Sequence, residues 1–345
     1  MVGSRKCGSV PLFIHPGLLV TPGTKQKASR RKAQLLGIAS TVILLSSLLL
    51  AQQPDRTANI ADAFGPSFVP ATTIQSKVQE VDLVLSVTDR KGHFIHGLRR
   101  SDLAIYDNGK PQNEFTFFRN ETNLPLRIAL VVDISGSVTH RFVAEQGALK
   151  TFVKTIVRPS DSVALLAFNQ RIELMAPVHK NENWKQISHR VKKLSPDGET
   201  ALFDAVCGAV QWLAEDRGQA RRVIILVTDG EENSSKVSLP QTIETALKAE
   251  VSIYSVNVSY ETLGDDAQRG EQILKELSEG TGGAYLRSDS DGDVGWAFNK
   301  IRRELRNQYA LAYKPLDLAA QSFHRVLVLA PRNLKVHCRP GYYVK

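Results

Sequence analysis

Between residues 126 and 306, short continuous apolar runs alternate with segments whose apolar residues recur every three or four positions. The runs at 126–132, 163–168, 223–227 and 251–258 predict strands buried on both faces. Helical spacing is carried by Leu149, Phe152, Val153 and Ile156, and again by Leu202, Phe203, Val206, Val210 and Leu213. A third helix opens at Ser238 and Pro240, a short fourth runs through Ile273, Leu274 and Leu277 to Gly280, and a fifth holds Val294, Ala297, Phe298, Ile301 and Leu305. Residues 172–178 and 284–286 predict two further strands. Buried strands alternating with helices predict an α/β fold, a Rossmann-like doubly wound sheet that is mostly parallel.

Both flanks follow a different rule. Residues 81–87 alternate polar and apolar, Asp89-Arg90-Lys91-Gly92 predicts a turn, and Asp107-Asn108-Gly109 separates apolar runs at 103–106 and 115–118. Asn-Gly between apolar runs predicts a hairpin, because both turn positions need positive φ. After the last helix, strand patterns return at 309–313, 326–329 and 334–337. The expected organisation is a leader at 1–54, a linker at 55–75, an N-terminal β segment at 76–122, the α/β domain at 123–306 and a C-terminal β segment at 307–345. The two β segments are expected to form one small β-sandwich module that carries the α/β domain as an insertion.

Charge places the chain in a compartment more than it suggests a ligand. The net charge is +9, but residues 1–54 hold seven basic side chains and no acidic one. The remainder has 37 basic residues against 35 acidic, so nothing in the globular part calls for nucleic acid. Arg30-Arg31-Lys32 precede an uncharged apolar stretch ending near Ala51. That layout predicts either a secretory signal cleaved after Ala51 or an inner-membrane anchor over 33–53. Either way the rest is expected to be exported, periplasmic or extracellular, and to meet a membrane only through the leader. Of three cysteines, Cys7 lies in the leader. Cys207 falls in a helical apolar pattern and is expected to act as a small buried hydrophobe, and its pairing with Cys338 is left open.

Two of the buried strands end in aspartate, Asp133 and Asp229, at the edge of the sheet where open α/β folds bind ligands. Asp133 begins the pattern D-x-S-x-S with Ser135 and Ser137, and Thr200 stands at the start of the second helix. Two carboxylates and three hydroxyls make an all-oxygen set of low charge, suited to Mg²⁺ or Mn²⁺ and less to Ca²⁺.

The segments DISGS, GET followed by ALFDA, and VTDGEENSS resemble the three loops of the metal-ion-dependent adhesion site (MIDAS) of von Willebrand factor A (VWA) domains. The framing segments VTDRKG, DLAIYDNGK, FTFF, NQYALAY and RPGYYV resemble the secreted VWA-related proteins described from Acidobacteria. The resemblance implies that Ser135, Ser137 and Thr200 coordinate the metal directly, with Asp133 and Asp229 acting directly or through water. It also implies a partner protein that offers an acidic side chain to the metal. The function expected is non-catalytic adhesion or envelope assembly. A Mg/Mn-dependent hydrolase and a metal-independent scaffold subunit are the alternatives.

Plainer readings exist for each residue. Asp133, Ser135 and Ser137 could cap the helix that follows them, Thr200 could cap the second helix, and Asp229 could shape a turn before Gly230. Glu231 and Glu232 read as solvated loop charges, His93 and His96 as surface histidines, and His140 as an exposed helix-start residue. Residues 289–293 imitate a calcium loop, but Val294 and Lys300 occupy positions where glycine and glutamate are needed, so they read as a helix start.

Overall fold

The computed structural model describes residues 80–344 except 121–122, 140–141, 157, 177–188, 216–217, 219, 260–263, 289–290, 317–322 and 332. Among these no helix is long and apolar enough to cross a membrane. The expected leader and linker, His140 and Asp289 lie outside the described residues.

Eight β-strands flank or begin the chain's α/β unit: β1 (Val81–Thr88), β2 (Ala104–Asp107), β3 (Lys110–Gln112), β4 (Phe115–Asn120), β5 (Leu126–Asp133), β6 (Ser162–Phe168), β7 (Ile172–Ala176) and β8 (Arg221–Thr228). They are followed by β9 (Val251–Asn257), β10 (Tyr285–Arg287), β11 (Tyr309–Tyr313), β12 (Phe323–Leu329), β13 (Lys335–Cys338) and β14 (Gly341–Tyr343). The α-helices are α1 (Phe142–Ile156), α2 (Leu202–Ala214), α3 (Leu239–Lys248), α4 (Asp265–Thr281) and α5 (Asp291–Leu305).

Six strands form the central sheet in the order β10-β9-β8-β5-β6-β7. Neighbours are parallel except β7, which runs antiparallel to β6. The fold is therefore the doubly wound, mostly parallel α/β sheet expected. Its strands alternate buried faces: Ile128, Leu130 and Val132 pack with α1 and α5, while Ala129 and Val131 pack with α2, α3 and α4. Covering both faces explains the unbroken apolar runs, since no side of the sheet meets water. The chain leaves β5 for β6 on one side and returns to β8 on the other, so the strand order reverses beside β5. In open α/β sheets ligands bind at the carboxyl ends of the strands beside such a reversal.

The outer strands make two four-stranded antiparallel sheets, β13-β1-β11-β4 and β14-β12-β2-β3. Each combines strands from before and after the α/β unit. Their facing side chains, including Val81, Leu83, Leu85, Ile105, Tyr309, Leu311, Tyr313, Val326 and Val328, form one separate core.

Two local expectations are corrected. Asn108 and Gly109 do take positive φ, 47° and 78°, but β2 pairs with Lys110–Gln112 rather than with the apolar run at 115–118. A two-residue turn forces the chain to pair at once, and the run at 115–118 then crosses to the other sheet beside β11. Helix α4 also does not stop at Gly280. Gly280 packs against the side chain of Ile243, and the helix ends at Gly282, which is left-handed at φ 77°.

Candidate metal centre

The site is built from three loops that follow β5, precede α2 and follow β8. Val132 pairs with Val227 in parallel register, so the next residues of each strand, Asp133 and Thr228, are neighbours. The Thr228 hydroxyl donates to Asp133 Oδ2 at 2.5 Å, and the amide of Ser135 donates to Oδ1 at 2.8 Å. Asp133 is 1% exposed. Its carboxylate is thus fixed from two sides and cannot rotate away.

Ser135 and Ser137 place their hydroxyl oxygens 3.0 Å apart. Ser135 stands at the N-cap of the short 3₁₀ turn Gly136–Val138, yet its side chain makes no capping hydrogen bond. The helix-cap explanation for Ser135 therefore does not hold. It fails for Thr200 too: the N-cap of α2 is Ala201, and the first free amides of that helix are met from elsewhere. The amide of Phe203 donates to Glu232 Oε2 and Ser235 Oγ, and that of Asp204 to Ser235 Oγ. Glu232, read from sequence as a solvated charge, is in fact half-buried and caps α2 from the loop after β8.

Backbone contacts tie the loops together. The amide of Gly136 donates to Gly198 O at 3.0 Å, and that of Asp197 to Ile134 O at 2.7 Å. Thr200 is held by its amide on Asn233 Oδ1 at 2.9 Å and by its carbonyl, which accepts from the amides of Asn233 and Ser234. Thr200 is buried and Asp229 half-buried, with Ser137 at the solvent edge. One oxygen of Asp229 accepts the Glu231 amide at 3.0 Å, the turn-forming role foreseen for it. Gly230 turns there at φ 87° within van der Waals contact of the Gly270 backbone, and a β-carbon at this position would collide with it.

The electrostatics follow from this packing. Burial, with the nearby Asp229 carboxylate adding to it, pushes the pKa of Asp133 up to about 7. Among the described residues neither aspartate has an ion-pair partner. No group of three or more His, Cys, Asp or Glu side chains is placed to hold a metal among those residues. What Asp133, Ser135, Ser137, Thr200 and Asp229 offer is instead a set of hard oxygens with two carboxylates. That composition fits Mg²⁺ or Mn²⁺. Sequence reasoning missed the residues that hold this set in place: Thr228, Glu232, Asn233 and Ser235. None of the four is marked by a local pattern, and the place of Thr228 beside Asp133 follows only from the strand register.

His93 and His96 are exposed, as expected. Cys207 is buried in α2, its thiol pushed up to about 11 by burial, and both it and Cys338 are free.

The family model of the von Willebrand factor type A domain matches residues 128–298. An uncharacterized protein of Synechocystis sp. is 20% identical over 204 residues, covering 59% of this chain and 47% of its own length. Inter-alpha-trypsin inhibitor heavy chain H1 of Mesocricetus auratus is 21% identical over 229 residues, covering 62% of this chain and 25% of its own. The chain thus spans less than half the length of these curated relatives. The solved von Willebrand factor type A structure from Catenulispora acidiphila is 11% identical, covers 70% of this chain and 73% of its own, and has a TM-score of 0.48. With the parallel sheet, its reversal beside β5 and the three loops above it, residues 128–298 form a von Willebrand factor type A domain.

Proposed function

We propose that the chain is an exported, non-catalytic, divalent-metal-dependent protein-binding module. One observation carries the reading: two carboxylates, Asp133 and Asp229, are held together at the sheet's reversal point without an ion-pair partner among the described residues, beside paired serine hydroxyls. Such a set favours a bound cation, which offsets the repulsion between the carboxylates. Asp133, Ser135, Ser137, Thr200 and Asp229 would hold Mg²⁺ or Mn²⁺. When bound, the ion supplies an electrophilic position open to a carboxylate of a partner protein. The chain's own part is positional. Thr228 and the Ser135 amide fix Asp133, Asn233 fixes the Thr200 loop, and the Glu231 amide holds one oxygen of Asp229. Export is supported by the basic-then-apolar leader, which offers a signal or an anchor.

Calorimetric titration of Mg²⁺ and Mn²⁺ into the full chain tests this, beside Asp133→Ala. One saturable site in the wild type, absent from the variant, is the expected result. Equal binding by both chains would refute the site, and no binding by either would favour the metal-independent scaffold. Generic phosphate and ester substrates with Mn²⁺ should turn over at the background rate.

A further inference from the structure

A cavity of about 420 Å³ lies at the opposite edge of the central sheet, where its strands begin. Its walls are shared by the α/β domain and the outer face of the sheet β13-β1-β11-β4. Six charged residues line it: Asp82 on β1, Arg119 on β4, Arg221 and Arg222 opening β8, Glu250 just before β9, and Arg339 just after β13. Four guanidinium groups face two carboxylates.

Arg221 and Arg339 are the informative members. Arg221 donates through Nη2 to Leu305 O at 2.6 Å, but its Nε and Nη1 are buried and have no hydrogen-bond partner. Arg339 donates through Nη2 to Asp82 O at 2.6 Å, and its Nε is likewise buried without a partner. Buried polar groups are almost always satisfied, so donors left over on two arginines of one cavity point to an acceptor that is not part of the chain. Burial lowers the Arg221 pKa to about 10, which leaves the side chain charged at neutral pH. Burial and the neighbouring Glu250 raise the pKa of Asp82, while Arg339 opposes them. By count, four guanidinium groups against two carboxylates leave the cavity with an excess of positive charge. The planar fork of a guanidinium pairs with the oxygens of a phosphoryl or carboxylate group, in a way an ammonium cannot.

We propose that this cavity binds a small molecule carrying an oxyanion group, with the unpartnered N–H groups of Arg221 and Arg339 as donors. The site is distinct from the metal centre. Thr228 lies seven residue steps along β8 from Arg221, about 23 Å at the rise of a strand. Because both the α/β domain and the β-module line the cavity, an occupant there would bridge the two.

Inorganic phosphate, pyrophosphate and citrate are titrated into the metal-depleted full chain, dialysed free of chelator, at constant ionic strength against chloride. Calorimetry and the melting temperature are read together. At least one of the three should bind saturably and raise the melting temperature where chloride does not. Affinity should fall at least tenfold in Arg221→Met and in Arg339→Gln, and remain unchanged in Arg269→Gln on the exposed surface of α4. Arg339 is only half-buried, so its variant serves if Arg221→Met does not fold. Response to phosphate but not citrate would assign a phosphorylated ligand, and the reverse a polycarboxylate. No saturable binding by any of the three at millimolar concentration, or binding that survives Arg339→Gln in a folded chain, overturns the proposal.

Discussion

Asp107 and Asp133 each end a strand and both are buried, yet their surroundings are opposite. Asp107, at the end of β2, accepts hydrogen bonds from Tyr313 and Tyr342 hydroxyls at 2.8 Å each and lies 2.9 Å from Nδ1 of His324. Two hydroxyls donate to it and an imidazole nitrogen completes its surroundings. Asp133, at the end of β5, has a hydroxyl and an amide on one side and a second carboxylate on the other. The first carboxylate completes its own neighbourhood and serves stability. The second bears the burial and the neighbouring carboxylate that raise its pKa. A buried acid surrounded by partners belongs to the architecture, whereas one set beside another acid is a candidate for function.

The largest effect should separate the two. Asp107→Ala strands two tyrosine hydroxyls and a histidine in the core of the β-module. A loss of about 3–5 kcal/mol is expected, as for other broken buried polar networks. Chemical denaturation of the full chain would show it, and a loss under about 1 kcal/mol would mean that Asp107 is not the hub described. Asp133→Ala should do the reverse. Metal binding should vanish, while metal-free stability at pH 8 should stay within about 1 kcal/mol of wild type, because the variant removes a repulsion as well as two hydrogen bonds. If metal-free Asp133→Ala unfolds like Asp107→Ala, the contrast between the two aspartates is lost.

A subtler variant sharpens the same contrast. Thr228→Val keeps the shape of the strand end and removes the hydroxyl that holds Asp133 Oδ2. One hydrogen bond to a charged group is worth about 1.5–3 kcal/mol, so Mn²⁺ affinity should fall by roughly ten- to a hundredfold without loss of the site. Unchanged affinity would show that Asp133 is positioned by the Ser135 amide alone.

The difference between the regions also explains what could be read from sequence. The central sheet was legible because strands covered on both faces are written as unbroken apolar runs such as 126–132 and 223–227. Asp133 and Asp229 stood out as the first polar residues after those runs. The supporting contacts were not legible. Glu232 and Ser235 cap α2 across more than 28 residues of chain, and no local pattern marks a cap supplied from another loop. In the β-module the pairing of β2 with a polar segment containing Pro111 was hidden for a similar reason. The turn at Asn108-Gly109 dictated it, against the apolar pattern of residues 115–118. The Asp107 network joins residues more than 200 positions apart in the sequence, and only the folded sheets bring them together.

The smallest expected effect lies where the α/β domain meets the β-module. Glu304, near the end of α5, accepts from Ser86 on β1 at 3.2 Å and from Tyr254 on β9 at 3.4 Å, and lies 2.7 Å from Nδ1 of His337 on β13. Burial of His337 works against its charged form, but Glu304, with help from the Gly283 backbone and Glu279, outweighs it, and the net shift is upward. A histidine whose pKa is higher in the folded chain binds its proton more tightly there than when unfolded. Its contribution is therefore complete below about pH 6.5, the unfolded value, and is lost as pH rises through the folded one. Asp133, whose pKa near 7 falls in the same window, adds a slope of its own. The His337 contribution is therefore read in an Asp133→Ala background, where unfolding free energy should decline with a slope of at most about 1.4 kcal/mol per pH unit, the limit for one proton. In that background His337→Gln should remove the slope, and in the otherwise wild-type chain it should leave Mn²⁺ affinity untouched, since the junction is at the far edge of the sheet from Asp133. Urea titrations of metal-depleted protein between pH 6 and 8.5 would measure it. A slope that persists in His337→Gln would place the titration elsewhere and leave the Glu304 junction indifferent to pH.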